Sequence, residues 1–111
     1  MEIDYDQPKH NEIEISCFGP GFGESIVIHL GNSEWIIIDS CTNNIDPLPA
    51  SINYLNSIKV KVETQVKIVL ATHWHDDHIK GIADTLERCK NAVFYCSDAL
   101  RTDEFRDLIV T

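Results

Sequence analysis

The chain is short of basic side chains: 9 Lys and Arg stand against 18 Asp and Glu, a formal charge of −9 over 111 residues. That balance argues against a nucleic-acid-binding face, which needs clustered Lys and Arg to displace the counterions of phosphate. Divalent ions bound to the chain would reverse the field around them, so the exclusion applies to the surface at large and not to a metal site. Also missing is any Cys-x-x-Cys pair. Cys17, Cys41, Cys89 and Cys96 are scattered, a pattern that fits reduced thiols in a cytoplasmic protein better than a disulfide framework. Long apolar runs are absent too: Trp35-Ile36-Ile37-Ile38 falls far short of the ~20 residues that cross a bilayer, so no membrane association is expected. The start, Met1 to Glu14, is polar and acidic where a signal peptide would be basic and then apolar. No internal repeat or low-complexity stretch interrupts the chain, whose length suits one domain with a modest core.

What is present is a regular alternation of elements. Residues Met1 to Asn11, with Pro8 among them, are expected to form a flexible N-terminus. From Glu12 to Phe18 polar and apolar residues alternate with period two, the pattern of a half-buried strand. Gly19 to Gly23 ends it. Ser25 to Leu30 and Glu34 to Asp39, separated by the turn signal Gly31-Asn32, predict an antiparallel hairpin. Asp46 to Ile58 carries Leu48, Ile52, Leu55 and Ile58 near helical spacing, with Pro47 and Pro49 tolerable at its start, and predicts a helix covering the sheet. Val66 to Ala71, apolar except for Lys67, predicts a strand buried on both faces. With apolar residues recurring from Ile79 at Ile82, Ala83 and Leu86, a second helix is expected to start within or just after residues 72–78 and to run to about Lys90. A strand over Ala92 to Cys96 should follow, then a helix over Asp98 to Val110 capped by Ser97. The order of elements is that of an α/β or α+β domain.

Three of the five histidines fall in Thr72-His73-Trp74-His75-Asp76-Asp77-His78. In extended chain, residues two apart point to one side, so His73 and His75 can offer imidazoles to one ion, and Asp77 and His78 can turn toward a second. Neutral imidazole with carboxylate suits zinc, and also manganese or iron; two such ions about 3.5–4 Å apart activate water and clamp a displaced oxygen. The motif follows a buried strand and leads into a helix, a place where open α/β sheets bind ligands.

Together with Gly81, this stretch resembles the His-x-His-x-Asp-His-x-x-Gly signature of the metallo-β-lactamase-fold hydrolases. The resemblance implies the N-terminal half of an αβ/βα sandwich over residues 12–111: a mixed sheet with helices on one face. It implies that His73 and His75 hold one metal, that Asp77 and His78 hold the other, and that Asp77 accepts a proton from the bridging water. Asp39 would be a buried acid orienting the motif loop. The reaction implied is hydrolysis of a phosphodiester or another ester by metal-bound hydroxide, on a small-molecule or phosphodiester substrate. Gly21-Phe22-Gly23-Glu24-Ser25-Ile26-Val27-Ile28 resembles the opening of the lactamase-like domain in bacterial competence proteins, which tilts the expectation toward phosphodiesters. The oxygen-reducing diiron members carry Glu where this chain has His75, which argues against a redox role. Ser40 and Cys41 follow Asp39 where many members have a glycine two places on. A buried structural thiol is the expected role of Cys41.

Members of the family complete their two sites with a third His, a bridging Asp and a last His from the second half of the fold. Here only His10 and His29 are left over, and both precede the motif. His10 falls in the flexible start, and His29 is expected to be packed or solvent-facing in its strand. Each ion would then have two ligands where zinc prefers three or four. A lone chain is therefore expected to bind metal weakly and to be a poor or inactive catalyst by itself, and a sheet face meant for another layer should drive self-association, as a dimer, or take up a complementary C-terminal half. The alternative to a hydrolase is a non-catalytic metal-binding or protein-interaction module that retains the motif.

Overall fold

The computed structural model describes residues 6–19, 24–42, 47–72 and 76–96, with the backbone alone for 76–80. Five strands form one sheet in sequential order: β1 (Glu14–Phe18), β2 (Ser25–Gly31), β3 (Glu34–Ile38), β4 (Val66–Ala71) and β5 (Val93–Cys96). β1 to β3 run antiparallel and β3 to β5 parallel. The change follows from the connections. Short loops can only reverse the chain, whereas the helix-bearing crossovers α1 (Ala50–Ser57), α2 (Val62–Gln65) and α3 (Asp76–Arg88) return it in the same direction.

Local chemistry sets the boundaries. The β2–β3 hairpin turns on Asn32 and Ser33, both at positive φ (53° and 59°), as a two-residue turn matching the right-handed strand twist requires. The helix predicted from Asp46 begins only at Ala50, because Pro49 holds extended backbone (φ −54°, ψ 143°) at its N-cap and forces its predecessor away from helical geometry. α1 ends in a Schellman motif: Lys59 N–H donates to Asn56 O (3.0 Å) and Val60 N–H to Leu55 O (2.9 Å), with Lys59 at φ 64°. α2 was not expected from the sequence, since four residues are too few to show a helical period. The expected helix over Asp98 to Val110 and its cap Ser97 lie outside the described residues.

The core lies on one face of the sheet. Val27, Trp35, Ile37, Val66 and Val69 meet Ile52, Leu55 and Ile58 of the α1 segment, with Cys89 and Leu86 from the α3 side. The other face is equally apolar, and no described element covers it. Register places Ile15, Ile28, Ile36 and Ile68 in one row across the sheet, and Cys17, Ile26, Ile38, Leu70 and Tyr95 in the next. Ile13, Ile15, Leu30, Val93 and Tyr95 are exposed. Two expectations are corrected by this. β4 is buried on one face only: Val66, Val69 and Ala71 are enclosed, while Ile68 and Leu70 are half-buried. In β1 the alternation holds with its sides reversed. Glu14 and Ser16 turn toward the helices, where Tyr54 Oη donates to Glu14 Oε1, and Ile15 and Cys17 point outward.

Candidate metal centre

β3 and β4 are parallel neighbours, with Ile38 paired to Leu70, so their C-terminal ends meet at one edge of the sheet. Asp39 stands just beyond that end. Its N–H donates to Leu70 O (2.8 Å), and Ser25 Oγ lies 3.0 Å from its carbonyl and 3.1 Å from that of Ile38, donating to them from β2. These bonds hold Asp39 at φ 57°, a left-handed conformation that Asp tolerates better than most side chains. The bend buries its carboxylate, with 9% of the residue exposed, and aims it across to the next strand. There Oδ1 accepts Thr72 N–H at 2.7 Å and Oδ2 accepts Thr72 Oγ1–H at 2.5 Å. Hydrogen bonds to an ionised acceptor are short and about twice as strong as neutral ones. Thr72 is thereby fixed through backbone and side chain at once, immediately before His73.

The chain re-enters the described residues at Asp76, the first residue of α3. Asp77 and His78 therefore occupy the first turn of a 13-residue helix, where free N–H groups and the positive end of the helix dipole favour negative charge. His73 and His75 lie outside the described residues, as do the side chains of Asp77 and His78. Among the described residues, no three His, Cys, Asp or Glu side chains gather into a metal-holding group.

Of the remaining histidines, His29 has its ring engaged elsewhere. His29 is 2% exposed; its Nδ1–H donates to Glu12 O (2.7 Å) and its ring packs 4.7 Å from that of Trp35. His10 is exposed, and its carbonyl accepts Asn32 N–H (2.8 Å). All four cysteines are free thiols. Burial raises the pKa of Cys41 and pushes that of Cys89 up to about 12, which favours the protonated thiol at both in the metal-free chain. The motif's own imidazoles and carboxylate are a donor set that fits a hard or borderline divalent ion.

Sequence reasoning gave no role to Thr72 or Ser25. Thr72 carried a signal in its place directly before the first motif histidine. Ser25 stands in the Gly21 to Ile28 stretch that resembles the competence proteins, but its bonds to the end of β3 depend on β2 and β3 being paired. Residues 18–108 match the family model of the metallo-beta-lactamase superfamily.

Proposed function

The chain belongs to the metallo-β-lactamase superfamily, and from that membership we propose that it forms part of a metal-dependent hydrolase acting on a phosphodiester or another ester. The observation that carries the reading is the clasp of the Asp39 carboxylate on Thr72. A charged group buried at the end of a strand is costly unless its bonds do something, and these fix the point from which His73 and His75 depart. Those two histidines would hold one divalent ion; Asp77 and His78 would hold the second. Zinc matches the donors best, with manganese or iron also suited. Ions held there would lower the pKa of a coordinated water and neutralise charge developing on ester oxygens.

The chain's own carboxylates divide the work. Both Asp39 oxygens are engaged by Thr72, so Asp39 positions the loop and leaves proton transfer to another group. Asp77 takes that part, accepting the proton of the attacking water on its carboxylate. The preference for phosphodiesters rests on the stretch Gly21 to Ile28, of which Gly21, Phe22 and Gly23 lie outside the described residues. Four free thiols favour the cytoplasm. Among the described residues no helix is long and apolar enough to cross a membrane.

A second reading, an interaction module, is favoured by the open apolar face with its exposed Ile13, Ile15, Leu30, Val93 and Tyr95. Such a surface supports self-association or docking of a complementary layer. The two readings part on one assay. Protein stripped of metal and reloaded with Zn²⁺ or Mn²⁺ is expected to bind the ion weakly and to hydrolyse bis(p-nitrophenyl) phosphate only slowly, since each ion has two ligands from this chain. Asp77→Asn should abolish that slow turnover, as loss of a general base does. No bound metal and no turnover under both ions would overturn the hydrolase reading and leave the module.

A further inference from the structure

Gly81 lies in α3 three residues beyond His78 and four beyond Asp77. It is buried, and it abuts the chain just after Asp39. A Cβ built on it would fall well inside van der Waals contact of Ser40 Oγ and only 3.1 Å from Ser40 Cβ. Rotation of Ser40 about χ1 can remove the Oγ contact but not the one to Cβ, which only a backbone shift relieves. Ser40 is 1% exposed, and the residue before it is held by its backbone on both sides. Gly81 is therefore where the helix carrying two motif residues touches the turn carrying the acid that clasps Thr72. Nothing else about α3 calls for glycine there: the position is mid-helix, where Ala is the better helix former.

We propose that Gly81 and Ser40 are a positioning pair whose close contact sets how near the first turn of α3 stands to the Asp39–Thr72 clasp. On the reading that Asp77 and His78 bind metal, this contact sets the separation of the two halves of the motif: His73 and His75 leave from Thr72, while Asp77 and His78 ride on α3. The absence of a side chain at 81 is the specification, and the small side chain at 40 is its counterpart. A larger residue at either place would push the helix outward and part the ligands.

The test is a cycle of Gly81→Ala, Ser40→Gly and the double variant. Three quantities are read in the full chain: affinity for Co²⁺ followed by its visible absorption, the unfolding midpoint, and exchange of the Thr72 amide proton. Gly81→Ala is expected to weaken Co²⁺ binding by about tenfold or more, the range seen when groups that orient ligands are displaced. It should lower the midpoint despite the better helix propensity of Ala, and speed Thr72 exchange. Ser40→Gly on top of Gly81→Ala makes room for the methyl group and should restore affinity and Thr72 protection. Unchanged affinity and exchange in Gly81→Ala, or equal loss in the single and double variants, would overturn the proposal. Should the wild-type chain bind no Co²⁺, the metal reading fails by itself, and Thr72 exchange decides the contact: faster in Gly81→Ala and restored in the double variant supports it, and any other pattern overturns it.

Discussion

The two faces of the sheet are built from the same residue types and meet different fates. On one, Val27, Trp35, Ile37, Val66 and Val69 are fully enclosed beneath α1 and α3. On the other, a comparable array of Ile, Leu, Val and Tyr has no layer over it among the described residues, and Ile13 and Ile15 are 72% and 63% exposed. Hydrophobicity thus says that both faces are interfaces, and only the crossovers say which one α1 and α3 cover. Chemistry divides along the same line. The Asp39–Thr72 clasp and the Gly81–Ser40 contact lie where the helix layer meets the strand ends, whereas the open face offers no charged group in its central rows, only an apolar surface for a second layer.

Equal truncations on the two faces should break this symmetry. Ile37→Ala, at a residue with no exposed surface, is expected to cost about 2–5 kcal/mol in denaturant unfolding, as deletions in packed cores do. Next in size is the rim. Asp39→Ala removes a charged acceptor from two Thr72 donors and should cost about 1.5–3 kcal/mol. Asp39→Asn, which tolerates the same backbone conformation, should cost less. Smallest is Ile15→Ala on the open face, where a change of about 0.5 kcal/mol or less is expected for the monomer. Its effect belongs instead to assembly: sedimentation velocity should show self-association weakened. A loss for Ile15→Ala as large as that for Ile37→Ala, in a chain shown to be monomeric, would mean that the face is already covered.

Much of this fold was legible because strand boundaries follow local rules. β2, β3 and β4 begin and end within a residue of where alternation and turn signals put them, and Asn32 sits in the turn that its type predicts. What could not be read is sidedness. Period two shows that a strand has two different sides but not which of them a helix will cover, and in β1 the polar side won because Tyr54 on α1 reaches Glu14. In the same way, an apolar run in β4 is compatible with one covered face or two. At the candidate site, spacing singles out His73, His75, Asp77 and His78, whose side chains lie outside the described residues. Their supports were less legible: Gly81 stands in the signature itself, but its contact with Ser40, like the bonds of Ser25 to the end of β3, acts across the sheet or between layers, at separations no local pattern records.

The account turns on whether the residues between β4 and the first turn of α3 bind a divalent ion. Calorimetric titration of metal-stripped protein with Zn²⁺, run beside the His73→Ala/His75→Ala variant, asks this directly. Saturable binding that disappears in the variant, with an unchanged unfolding midpoint for the metal-free proteins, is the result predicted. Binding of equal strength and stoichiometry in both proteins would contradict it.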